Sequence, residues 1–178
     1  YKQQDYETIK QKVTAEKVKE YFDKLGIKDR IQEFNVSSAT VDLAAEAVGV
    51  EGARICKTLS FKSQEGCILI QMAGDARIDN RKFKDFFGFK AKMLTAEEVE
   101  FYTGHAIGGV GAFAIENPHV EVYCDVSLKR FETVFPACGS SNSAIELTCD
   151  EIFRFSLAKE WIDISKLPEQ EKNDGKTR

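Results

Sequence analysis

Apolar residues along this chain switch repeatedly between a helical and a strand-like period, and the switches divide it into alternating elements. Val18, Tyr21, Phe22 and Leu25 recur at helical spacing, which predicts a helix over 14–25 with Thr14 as its cap and Gly26 as its stop. A short strand is expected over 31–36. Thr40 then caps a second predicted helix, whose buried stripe is Val41, Ala44, Ala45 and Val48 and whose end is Gly49. Two strand-like runs, 54–61 and 67–73, flank a polar turn at 63–66 and predict an antiparallel hairpin. A helix over 79–87 with Phe83, Phe86 and Phe87 inward and a brief strand over 90–94 follow. TAEE at 95–98 has the spacing of a capping box and opens a helix reaching Tyr102.

The stretch TGHAIGGVGAF, 103–113, breaks the pattern. Its four glycines within eight positions require unusual dihedrals or close approach of the backbone to something. Strands are predicted again over 120–126, 133–137 and 144–147, with one helical turn over 127–131. TCDE at 148–151 repeats the capping-box spacing ahead of a last helix. No repeat and no internal boundary is visible, so one domain is expected over 1–166, with a loose charged tail over 167–178.

One position in the hairpin stands out. Lys57 falls in step with Ile55, Leu59 and Phe61, so a charged ammonium shares a strand face with three large apolar side chains. An unpaired cation on such a face is costly. Either Lys57 sits at the mouth of a cavity and meets an anion, or its four-carbon stem carries the charge past its neighbours to water.

Composition narrows the classes. A chain of 178 residues with 43% hydrophobic and 30% charged residues reads as a soluble globular domain with a sizeable core. Its net charge of -4 does not support tight autonomous nucleic-acid binding, so any polyanion must be gripped locally. The local grip on offer is Arg77, Arg81, Lys82, Lys84, Lys90 and Lys92, set against Asp79 and Asp85. It reads either as a solvated helix face or as a phosphate-contacting patch. Five cysteines without a CxxC pair and two histidines suggest neither a disulfide framework nor a metal site. No stretch has the length of a membrane span, and the polar start, 1–12, lacks the apolar core of a signal peptide, so a reducing cytoplasm is the expected location.

Familiar catalytic patterns are missing. The glycine stretch lacks the GK[ST] ending of a phosphate loop, and Ser140 and Ser141 do not match G-x-S-x-G. Cys56 and Cys138 read as small core thiols, and His105 and His119 as surface or loop-packing residues.

Taken in order, Lys57-Thr58, the loop GHAIGGV at 104–110 and the segment GSSNSAIEL at 139–147 resemble the YbaK and prolyl-tRNA-synthetase editing-domain family. The resemblance begins near Thr40, includes Gly74-Asp75 followed by a Lys/Arg-rich helix, and runs to Phe155. It implies an α+β fold, a single domain in which a mixed, partly barrel-like sheet is flanked by helices. The implied activity is a deacylase, hydrolysing the ester of a mischarged tRNA, usually tRNA for proline, without metal or organic cofactor. By the same resemblance Lys57 holds the terminal phosphate or ribose region, and Gly108 and Gly109 line the ester, with Thr58, His105 and Val110 beside them. Gly139, Ser140 and Asn142 are expected near the amino acid, and Arg77, Arg81, Lys82 and Lys84 on the tRNA. Backbone N–H groups of a glycine-rich loop can polarise an ester without a side-chain nucleophile, which fits the missing Ser/His or Cys/His set. The acidic net charge suggests delivery by prolyl-tRNA synthetase or an elongation factor. Where many relatives continue GGVSP, this chain has Gly111 and Ala112, which predicts a wider or looser pocket. The rival reading is a non-catalytic module that docks a tRNA end, a nucleotide or a synthetase.

Overall fold

The computed structural model describes residues 3–106 and 108–168, with side chains from Thr14 onward; residues 169–178 of the expected tail lie outside the described residues. In chain order the elements are α1 (Gln3–Lys24), β1 (Ile31–Glu33), α2 (Val41–Val48), β2 (Ile55–Lys62), β3 (Cys67–Ala73), β4 (Arg77–Ile78), α3 (Asn80–Phe87) and α4 (Ala96–Thr103). They are followed by β5 (Val120–Asp125), β6 (Thr133–Pro136), β7 (Ser143–Ile145), β8 (Leu147–Thr148), α5 (Cys149–Phe155), β9 (Trp161–Ile162) and β10 (Ser165–Lys166).

The predicted hairpin is the centre of the molecule. β2 and β3 pair antiparallel, with Lys57 opposite Met72, Leu59 opposite Ile70 and Phe61 opposite Ile68. β3 then pairs parallel with β5, and a six-stranded curled sheet runs in the order β8-β6-β2-β3-β5-β9. Flanked on both sides by strands, β3 is buried along its whole length, which is why it is almost continuously apolar. Two small antiparallel ladders, β1 with β7 and β4 with β10, complete the mixed architecture. The α+β expectation, with helices flanking a curled mixed sheet, therefore holds.

Helix ends follow the local chemistry read from the chain. The Thr40 hydroxyl accepts from Leu43 N–H, and Gly49 closes α2 at φ 84. Asp79 caps α3 through Arg81 and Lys82 N–H, and reciprocal capping boxes open α4 at Thr95/Glu98 and α5 at Thr148/Glu151.

Elsewhere the structure corrects the expectations. Thr14 is not a cap, since α1 starts at Gln3, and Tyr6, Ile9 and Val13 already recur at helical spacing ahead of it within an otherwise polar stretch. The Thr14 hydroxyl instead donates to the Gly104 carbonyl at 3.0 Å. The strand over 31–36 stops at Glu33, and 90–94 contributes a single bridge, Met93 to Phe61. Phe86 is 44% exposed, while Phe83 is buried against Phe61 with ring centroids 5.0 Å apart. The run over 144–147 splits between two ladders, β7 with β1 and β8 with β6. The two-residue strands β4, β9 and β10 are too short to leave a periodic signal.

Candidate functional site

A gap in the sheet positions the site. The parallel ladder between β2 and β6 ends at Cys56–Pro136, and the next contact along that edge of β2 is the bridge to Met93. There Leu94 N–H donates to Ser60 O at 3.2 Å and Lys62 N–H donates to Lys92 O at 2.8 Å. Backbone groups of alternate residues point to the same side of a strand, so the N–H and C=O of Thr58 face this gap too. A cavity of about 270 Å³ lies here, lined on one side by β2, including Lys57 and Thr58, and on others by Thr40, Val41 and Ala44 of the α2 start, Gly108, Val110, Ala137 and Ser143. Ser38 also lines it, its buried hydroxyl without a hydrogen-bond partner among the described residues. Among the described residues, no carboxylate lines it.

Lys57 resolves its awkward position in neither of the two expected ways alone. It is half-buried, and its ammonium donates to the Gly74 carbonyl at 3.2 Å and to the Ala76 carbonyl. An ammonium has three N–H donors, so two carbonyls leave one. Burial lowers the pKa of Lys57 and Arg77 lowers it further, while the Asp75 carboxylate acts in the opposite sense. The turn that supplies the carbonyls is tightly held. A Cβ on Gly74 would lie 2.1 Å from Gly52 O, so only glycine fits, and Ala76 N–H closes the turn on Ala73 O at 3.0 Å. Asp75 accepts two hydrogen bonds from Arg130, at 3.1 and 2.5 Å, and the Arg130 hydrogen bond keeps its carboxyl below the ordinary carboxylate range.

The glycine loop is anchored from beneath. Gly104 ends α4 at φ 74, Gly108 has φ 94, and Ile107 between them lies outside the described residues. A Cβ on Gly109 would lie 2.6 Å from the Ser140 carbonyl carbon, so this glycine permits the two loops to touch backbone to backbone. His105 does not line the cavity with Lys57. It is buried, 3% exposed, and lies beside a separate cleft with Thr14, Lys17 and Tyr102. Its Nδ1 accepts from Gly111 N–H at 3.1 Å, and burial pushes its pKa down to about 4, so it is a neutral brace for the loop. Gly111 itself opens no extra room, because a Cβ there would lie 2.8 Å from the Ala137 carbonyl, which already fills the space.

The serine-rich loop is divided. Ser143 borders both the Lys57 cavity and a neighbouring cleft against α1, whereas Ser140 and Asn142 line only that cleft. The Ser140 hydroxyl is bonded within its own loop, to Asn142 Oδ1 at 2.9 Å and Ser143 Oγ at 2.7 Å. Gly139, at φ 83, packs on Val18 of α1. Of the basic group, Arg77, Arg81 and Lys84 are exposed, and Arg77 is close enough to lower the Lys57 pKa. Lys82 is tied to Asp163 at 3.1 Å and to Ser165 O at 2.9 Å, pinning α3 to the strand segment after β9. Periodicity missed Arg130 and α1 as supports of the site, because both act through residues far along the chain.

All five thiols are unpaired, and burial pushes Cys67 and Cys124 up to about 12, which makes them poor nucleophiles. Among the described residues, no group of three or more His, Cys, Asp or Glu side chains could hold a metal ion, and no helix is long and apolar enough to cross a membrane.

The family described as the aminoacyl-tRNA editing domain matches residues 36–155. The chain is 52% identical over 155 residues to the uncharacterized protein YwhH of Bacillus subtilis (strain 168), covering 86% of this chain and 98% of that protein. It is 27% identical over 127 residues to the proline--tRNA ligase of Thermosipho melanesiensis, covering 70% of this chain but only 22% of the ligase. A crystal structure assigned provisionally as a trans-editing enzyme for prolyl tRNA synthetase superimposes with a TM-score of 0.77 at 29% identity, over 86% of this chain and 97% of that one.

Proposed function

The chain belongs to the aminoacyl-tRNA editing domain family, and from that premise we propose that it hydrolyses the ester of a mischarged tRNA in trans, with tRNA for proline as the carrier. The observation that carries this reading is the meeting of Lys57, Thr58, Gly108 and Val110 around one cavity. Its 270 Å³ suit a small aminoacyl group better than a large one. The N–H of Lys57 not used by the Gly74 and Ala76 carbonyls is available to a phosphate or ribose oxygen of the tRNA end.

The reaction needs no covalent enzyme intermediate. A water oxygen adds to the ester carbonyl carbon, and main-chain N–H groups of the glycine loop stabilise the resulting oxyanion. The bond from that carbon to the ribose oxygen then breaks as a proton of the attacking water passes to that oxygen, releasing the free amino acid and a tRNA whose 3′-terminal adenosine has its hydroxyl restored. Arg77, Arg81 and Lys84 are exposed and supply positive charge for the acceptor end, while Lys82 is engaged internally. Delivery by prolyl-tRNA synthetase or an elongation factor compensates for the net charge of -4.

The test is a panel of misacylated tRNAs carrying alanine, cysteine, serine or threonine, offered to the wild type and to Lys57→Ala. Turnover of at least one member that collapses in the variant is the expected result. Equal rates in both proteins remove the lysine from the mechanism, and tRNA binding without turnover on any member replaces the hydrolase with a docking module.

A further inference from the structure

We propose that Asp75 and Arg130 are positioning residues for Lys57: their ion pair clamps the turn whose Gly74 and Ala76 carbonyls hold the ammonium, and so aims its remaining N–H at the substrate. The inference rests on the reading of Lys57 given above and extends it to two side chains outside the cavity lining.

The clamp is continuous. Lys57 donates to the carbonyls of Gly74 and Ala76, the residues on either side of Asp75. Asp75 receives both terminal nitrogens of the Arg130 guanidinium, and the third nitrogen of that group, Nε, donates to Ser127 O at 3.0 Å. Ser127 is itself fixed. Its hydroxyl accepts from Ala73 N–H at 3.1 Å, and its N–H donates to the buried carboxylate of Asp125 at 2.9 Å. The other Asp125 oxygen accepts from Ile164 N–H at 3.0 Å. The turn over 73–76 is therefore tied to the 3₁₀ turn Val126–Arg130 at both its start and its tip. On the other side Gly74 lies against Gly52 O, with Val41 of the cavity wall also touching it. Nothing in this arrangement lets the two carbonyls drift without breaking a bidentate, charge-assisted pair.

The carboxylate has a second consequence. Among the described residues, Asp75 and Arg77 are the charged groups that shift Lys57, with opposite signs, and the Asp75 carboxylate is bonded to Arg130 rather than to the ammonium. Removing the carboxylate and removing its arginine therefore push Lys57 in opposite directions. In Asp75→Asn the ammonium loses its negative neighbour, and its titration moves to lower pH. In Arg130→Met the carboxylate is released to pair with Lys57, and its titration moves to higher pH.

The experiment combines two readouts on the full chain. Competitive labelling with acetic anhydride across pH, read by mass spectrometry with exposed Lys84 as internal reference, reports the titration of Lys57. Rates on the misacylated tRNA that the wild type cleaves fastest report kcat/KM for Lys57→Ala, Asp75→Asn, Arg130→Met and the double variant Lys57→Ala/Asp75→Asn. The expected result is a fall of about tenfold in kcat/KM for each clamp variant, with opposite displacements of the Lys57 labelling curve, and no further loss when Asp75→Asn is added to Lys57→Ala. A fold weakened without regard to the lysine would give additive losses and displacements of the same sign, and that outcome overturns the proposal, as do clamp variants with wild-type rates. If Lys57→Ala itself retains full activity, the reading of Lys57 fails first and takes the clamp's functional role with it. Opposite labelling shifts alone would not rescue it.

Discussion

Two hollows share the serine-rich loop as a wall, and they differ in a way that size would not suggest. The cleft on the α1 side is the larger, about 560 Å³ against about 270 Å³ for the cavity on the β2 side. Yet the lysine of the larger one is neutralised, since Lys19 and Glu33 pair at 2.5 Å with the Glu16 carboxylate also on the lining, and the hydroxyl of Ser140 is bonded within its own loop. Among the described residues, the smaller holds a lysine whose partners are neutral carbonyls, an orphaned serine hydroxyl and no carboxylate. A site is thus marked by polar groups that folding leaves unsatisfied or unneutralised rather than by volume.

The strongest way to break this comparison is to exchange the lysines. Lys57→Ala is expected to lower kcat/KM on the cleaved tRNA by roughly 10²–10³-fold, the usual loss for an electrostatic donor at a reacting centre. Lys19→Ala, in the larger cleft, should stay within about twofold, because its partly exposed ion pair contributes little. A large loss from Lys19→Ala would transfer the site to the other side of the serine loop.

Next in size is the pH response of the brace under the glycine loop. His105 titrates near 4 in the folded state, below the usual 6.5, so the unfolded chain binds more protons between those values. Its contribution is complete above pH 6.5 and disappears as pH falls toward 4, about 3 kcal/mol in all. Urea unfolding of the wild type and of His105→Gln should therefore converge on acidification, with the difference between them shrinking by about that amount. A difference that stays constant with pH would show that the imidazole is not buried neutral.

A smaller effect tests the meeting of the two walls. Gly109→Ala places a Cβ against the Ser140 backbone, where neither loop can yield easily. A loss of about 1–3 kcal/mol in unfolding free energy is expected, together with reduced turnover. The least dramatic change is electrostatic. Replacing Arg81 and Lys84 by alanine should leave turnover at saturating tRNA intact and reduce the slope of log affinity against log salt by about one unit for each phosphate that these side chains neutralise. An unchanged slope assigns both residues to a solvated helix face.

Much of this arrangement is legible along the chain. Thr40 and Gly49 bracket α2, the runs over 54–61 and 67–73 become β2 and β3 within a residue, and both TxxE spacings become true capping boxes. These features depend on residues a few positions apart, and so does the anomaly at Lys57, which period-two alternation exposes. The glycine pair at 108–109 is likewise visible as a backbone under unusual constraint. The environment of His105 is not, because its burial comes from α1 and from the return of the loop at Gly111.

What the amino-acid order determined by itself, then, is the longer elements, the caps of α2, α4 and α5, and the two positions, Lys57 and the glycine pair, that no ordinary core would contain. The tertiary structure alone decided that Lys57 rests on Gly74 and Ala76, that Arg130 holds Asp75 from 55 residues away, and that Ser143 borders both hollows while Ser140 borders only the one against α1. Capping and periodicity act over one or two turns of chain, whereas the orientation of a charge is set by whichever distant backbone groups the packed sheet brings within hydrogen-bond reach.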